Sequence, residues 1–139
     1  MEYKRYSDKT VIRLDKGEDI IESLIAVARE ENIKAGVFSG IGATDSFEIG
    51  VFSLEKQDYD RFSFSENHEI TELSGNITTV EGKPYIHAHI NCASHDGKIV
   101  GGHLFKARIS LTCEIFITEV DGEISREFDE ELRINRLKF

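Results

Sequence analysis

The chain has 139 residues, 40% of them apolar and 31% charged, with one proline, no tryptophan and a formal net charge of −9. That length fits a single domain spanning 1–139, and that apolar share builds a core without disulfide staples, which excludes a disordered chain and a small disulfide-framed scaffold. The balance of 17 basic against 26 acidic side chains argues against direct binding to nucleic acid, whose phosphates call for a concentrated basic surface.

The opening Met1-Glu2-Tyr3-Lys4-Arg5 leads into polar residues with no apolar core of a leader behind it. No apolar run reaches the ~18 residues that a membrane helix needs. The expectation is a cytoplasmic protein without membrane contact. Residues 10–14 (Thr-Val-Ile-Arg-Leu) read as a short strand. Asp15 and Glu18 then have capping-box spacing and open a helix over about 17–31, with Ile20, Ile21, Leu24, Ile25, Val27 and Ala28 at helical intervals. This is the one strong helix of the chain, and its apolar stripe requires a sheet to cover it.

Nearly everything after it alternates in the period of a strand. Residues 35–40, 47–54, 59–64, 69–80, 85–93, 98–105 and 108–120 carry β-branched or aromatic side chains in alternation, with a further short strand around 131–137. One helix and many strands predict an α+β fold, a largely antiparallel, curled β-sheet with the helix on one face. Cys92 and Cys113 lie inside apolar stretches and read as buried, reduced thiols. His68 and His95 read as surface residues. The basic residues are scattered, with Lys4, Arg5, Lys9 and Arg13 near the start and Arg133, Arg136 and Lys138 at the end.

The segment Tyr85-Ile86-His87-Ala88-His89-Ile90-Asn91-Cys92 puts Ile86, Ala88, Ile90 and Cys92 on one face and Tyr85, His87, His89 and Asn91 on the other. Residues i and i+2 of a strand lie roughly 6.5–7 Å apart on the same side, so His87 and His89 are neighbours. The next turn decides where His103 falls. A two-residue Asp96-Gly97 turn would set His103 against Ile90 and break the apolar face. A three-residue loop His95-Asp96-Gly97, with Gly97 left-handed, sets His89 opposite His103, Ala88 opposite Leu104, Ile90 opposite Gly102 and Cys92 opposite Val100. That register keeps the apolar face whole, and it gathers His87, His89 and His103 on the other.

Three imidazoles on one face suit a divalent metal, zinc above all, bound at about 2.0–2.1 Å per nitrogen with a fourth position left open. Gly101-Gly102 before His103 leaves room for a ligand or a neighbouring backbone. Glu114 shares its strand face with Ser110 and Thr112, opposite Ile109, Leu111, Cys113, Ile115 and Ile117, and is the one candidate for a general base or an acceptor behind an imidazole. Gly40-x-Gly42 is no dinucleotide fingerprint, because Asp45 stands where a third glycine would be needed.

The succession Gly40-Ile41-Gly42-Ala43, Ser74-Gly75-Asn76-Ile77, Gly82-Lys83-Pro84-Tyr85-Ile86-His87-Ala88-His89, Asp96-Gly97, Gly101-Gly102-His103-Leu104 and Glu114 resembles the plants-and-prokaryotes conserved (PPC) domain over nearly the whole chain. In plants this domain follows an AT-hook in nuclear proteins; in bacteria and archaea it usually stands alone as a predicted DNA-binding protein. The resemblance implies a homotrimer, and it implies that His87, His89 and His103 fall where some prokaryotic members hold a metal. This chain has no Arg-Gly-Arg-Pro hook, so DNA contact transfers poorly. The functional expectation is a trimeric regulatory module of DNA-binding type with a three-histidine zinc site. The alternative is a metal-dependent hydrolase or lyase acting on a small molecule at those histidines.

Overall fold

The alternation of the chain resolves into nine strands and one helix in a computed structural model that describes all of residues 1–139. In chain order they are β1 (Glu2–Tyr6), β2 (Lys9–Asp15), α1 (Ile20–Glu30), β3 (Gly36–Ser53), β4 (Asp58–Phe64), β5 (His68–Val80), β6 (Lys83–Ala93), β7 (Ile99–Glu119), β8 (Ser125–Asp129) and β9 (Ile134–Lys138). The α+β class and the single helix agree with the sequence reading.

Some boundaries differ, for local reasons. The helix begins at Ile20 rather than near residue 17, because Gly17 has φ +94° and Asp19 is extended. Asp19, not Asp15, is the N-cap: its side chain accepts from the Glu22 N–H at 3.0 Å. Glu18 still reaches back to the Asp15 N–H at 2.8 Å, so the capping-box pair closes a turn ahead of the helix. The stretches 35–40 and 47–54 are one strand, β3, and 98–105 and 108–120 are one strand, β7. Their pairing carries register shifts at Gly42/Thr44, Thr44/Ser46 and Glu48/Ile49. Such bulges bend a strand and reset its alternation without ending it. One of them moves Leu111 out of its expected face. Ile109, Cys113, Ile115 and Ile117 are buried, but Leu111 is 73% exposed where β7 slips against β3.

The sheet runs β1-β2-β7-β3-β5-β8-β9, with β4 on β3 and β6 between β5 and β7. All pairs are antiparallel except a single parallel bridge, Thr79 to Ser125, that attaches β8 to β5. Because β3 pairs with both β5 and β7, and β6 pairs with the same two, these four strands close into a ring. Inside it lie Phe38, Ile49, Leu73, Ile77, Ile90, Leu104 and Ile115, continuous with the helix face Ile20, Leu24, Val27 and Ala28. Each such side chain contributes about 1.5–3 kcal/mol by leaving water. This core fixes the backbone of β6 and β7, and so the outward residues they carry.

Candidate metal centre

The β6–β7 hairpin has the register that keeps its apolar face whole. His89 pairs with His103, Ile90 with Gly102, Asn91 with Gly101 and Cys92 with Val100. The Ser94 N–H donates to the Lys98 carbonyl at 2.9 Å, and Gly97, at φ +79°, takes the left-handed position between them. Glycine adopts that conformation at no steric cost. His87, His89 and His103 therefore converge: their ring centroids lie 5.2 to 5.7 Å apart. One ring nitrogen from each lies within 4.8 Å of the others, so small side-chain rotations bring all three onto one ion.

The surroundings hold His87 and His103 neutral. Burial, then the proximity of His87 and His89, pushes His103 down to about 4. Burial, then Arg126 and His89, lowers His87. A metal takes the neutral imidazole, so at neutral pH no proton has to be displaced from these two. His103 Nδ1 is buried with no hydrogen-bond partner. A buried, unsatisfied nitrogen costs free energy unless something accepts or coordinates it. Three imidazole donors, one of them carrying this orphaned nitrogen, fit a divalent ion of zinc type.

The site has aromatic walls. Tyr59 packs at a tilt of 31° against His103, 4.9 Å between centroids, and Phe105 lies edge-on at the same distance. Gly50 pairs with His103 across β3 and β7, and a Cβ there would meet Phe105 at 2.7 Å and Tyr59 at 2.9 Å. The room expected at Gly101 and Gly102 is taken by the Asn91 side chain and the Gly50 carbonyl, not left for a ligand. A cavity of about 290 Å³ opens beside His87 and His103, bounded by Tyr59, Tyr85, Phe105 and Phe128 and by Arg61, Arg126 and Arg133. Sequence reading missed the three arginines. Arg61 on β4, Arg126 on β8 and Arg133 in the turn before β9 belong to no chemical motif, and β8 joins the sheet beside the site through one parallel bridge.

The other candidates lie elsewhere. Glu114 is exposed in a separate depression with Ser39, Ile41, Thr71, Glu72 and Phe116, and it does not line the histidine cavity. His68, expected at the surface, is 7% exposed: its Nδ1 bonds the Glu66 carbonyl at 2.8 Å and its ring packs edge-on against Phe47 and Phe64. His95 is exposed in the loop, as expected. Cys92 and Cys113 are buried free thiols, which burial pushes up to about 12, so neither is a nucleophile at neutral pH. No helix is long and apolar enough to cross a membrane.

No curated protein matches the sequence. Solved structures do. A candidate DNA-binding protein from Bacteroides thetaiotaomicron is 29% identical with a TM-score of 0.96, over 99% of this chain and 96% of that one. A metal-containing protein from Archaeoglobus fulgidus is 34% identical with a TM-score of 0.89, over 99% and 97%. A plant- and prokaryote-conserved protein from Pyrococcus horikoshii is 27% identical with a TM-score of 0.87, over 99% and 96%. The fold alone extends to acetolactate decarboxylase from Bacillus subtilis, 16% identical with a TM-score of 0.60, where the likeness spans 84% of this chain and 54% of the enzyme. The sequence pattern of the Plants and Prokaryotes Conserved (PCC) domain matches residues 1–121, and the chain belongs to that family.

Proposed function

We propose that this protein is a self-assembling, regulatory-type module that holds one zinc ion per chain on His87, His89 and His103 and works as a homotrimer. The observation that carries the reading is the convergence of three ring nitrogens, two of them on rings kept neutral by burial, on one face of the β6–β7 hairpin. The metal-containing relative from Archaeoglobus fulgidus supports it. Bound there, zinc would supply a Lewis-acidic centre. The chain's own residues orient the imidazoles, keep those of His87 and His103 unprotonated and screen one side from water with Tyr59 and Phe105.

Self-association is supported by an uncovered sheet face. Val37 and Ile41 on β3 and Phe116 on β7 project from the same side and are 54%, 58% and 54% exposed. Three large apolar side chains uncovered on one sheet face, with Ser39, Glu114 and Thr118 among them, fit further copies of the same chain. Direct duplex contact, the class named for the Bacteroides relative, ranks below this reading. Only Lys4, Lys16, Arg29, Lys83 and Arg126 stand outside a carboxylate pair, and they form no stripe along one element.

The test is metal analysis of the native protein beside a variant with His87, His89 and His103 all changed to Ala. The expected result is about one zinc per native chain and close to none in the variant. Equal metal in the two refutes the site. A second reading, a metal-dependent hydrolase or lyase, is favoured by the cavity opening on His87 and His103. It lacks a carboxylate base, since Glu114 lies outside that cavity and no acid lines it.

A further inference from the structure

In a chain with 26 acidic side chains, the cavity beside the histidines is lined by three arginines and no carboxylate. Two of these arginines are already engaged. Arg61 pairs with Glu48 at 2.8 Å and lies over the Phe105 ring at 3.8 Å. Arg133 stands 4.0 Å from Glu130 and over Phe128. Arg126 is different. It is half-buried and has no carboxylate partner, whereas the other unpaired cations, Lys4, Lys16, Arg29 and Lys83, are all exposed. Three neutral acceptors hold it: Thr78 Oγ1 at 2.9 Å from Nε, the Asn135 carbonyl at 2.8 Å from one terminal nitrogen and Asn76 Oδ1 at 2.8 Å from the other. A charge taken from water without a counter-charge is costly and is retained where something repays it.

A larger depression, about 790 Å³, makes the contrast. Its cations are matched, Arg5 with Glu31 and Glu119, and Lys34 with Glu123. A guanidinium has five N–H donors. Three of those on Arg126 are used, and the two that remain, one on each terminal nitrogen, match the two oxygens of one carboxylate. The rings of Tyr59, Tyr85, Phe105 and Phe128 offer apolar surface around them. About 290 Å³ lies at the lower end of ligand pockets and suits a small molecule rather than a peptide or a nucleotide.

We propose that this cavity binds a small organic carboxylate, with Arg126 pairing its anionic end and the aromatic walls holding its body beside His87 and His103. The ligand's contact with a metal rests on the three-histidine reading above; its contact with Arg126 does not. Three neutral imidazoles leave the charge of a divalent ion uncompensated, so a bound ion and Arg126 both favour an anion in the same space.

The experiment is calorimetric titration of the full-length protein, zinc-loaded and EDTA-stripped, with acetate, pyruvate and benzoate, each against its neutral amide, at fixed ionic strength. At least one carboxylate is expected to bind about tenfold or more tighter than its amide to the stripped protein, and tighter again to the loaded one. Arg126→Gln loses that preference and Arg126→Lys recovers part of it, while Arg136→Gln leaves it unchanged. The comparison of carboxylate with amide in the native protein stands even where a variant folds poorly. If no carboxylate outbinds its amide, or if Arg126→Gln keeps the preference in a folded state, the proposal is overturned. Loss of zinc binding with the preference intact in stripped protein would instead overturn the metal reading alone.

Discussion

His103 sits where burial and two neighbouring imidazoles all oppose a positive charge. In metal-free protein the unfolded chain takes up a proton at this ring near its ordinary value of 6.5, and the folded chain only near about 4. Between those values the unfolded state binds more protons, so stability is fully present above 6.5 and falls as the pH drops toward 4. The urea midpoint of the stripped protein is therefore expected to decline from about pH 7 to about pH 4.5, and His103→Gln is expected to flatten that decline. Equal slopes in the two proteins would show that His103 ionises freely in the fold. The residues of this centre were legible to very different degrees. The three histidines could be read because a period of two leaves no freedom: once Ile90 and Cys92 are inward, His87 and His89 are outward, and the only register that spares the apolar face brings His103 to them. Arg126 could not be read, since its place depends on long-range pairing that no local pattern encodes.

At the scale of the element, one aspartate joins the helix to the sheet. Asp19 caps α1 through Oδ1, and its Oδ2 accepts from the Ala107 N–H of β7 at 3.0 Å. Asp15, which has the capping-box spacing in sequence, instead lies at the surface with Arg13 and the N-terminal amine. Asp19→Ala is expected to cost about 1–2 kcal/mol in urea unfolding, and Asp15→Ala less than about 0.5 kcal/mol. Equal losses would return the helix start to residue 15. The elements missed or split in sequence have a common cause. β1 is a polar, mostly exposed edge strand, and β8 is a short, polar strand held between β5 and the edge strand β9; their order comes from pairing, not burial, so they show no apolar alternation. β3 and β7 look broken because bulges shift their phase, although the backbone runs on through Ala43–Ser46 and Lys106–Arg108.

The whole molecule presents two surfaces of opposite kind, an apolar sheet face around Phe116 and a cationic cavity in an otherwise acidic chain. If the first joins copies of the chain, Phe116→Glu places a carboxylate in the contact and shifts the sedimenting species from trimer toward monomer. Zinc content per chain is expected to stay the same, because Phe116 lies outside the histidine cavity. An unchanged sedimentation coefficient would move the assembly surface elsewhere.

The hairpin β8–β9 runs from Ser125 to Lys138, beyond the stretch 1–121 that carries the family's shared pattern, yet it lends Arg126, Phe128, Arg133 and Asn135 to the cavity wall. The three imidazoles and part of the cavity wall thus belong to separate parts of the polypeptide. A change in the tail alone would alter the lining of the cavity and leave the histidine cluster beside it as it is.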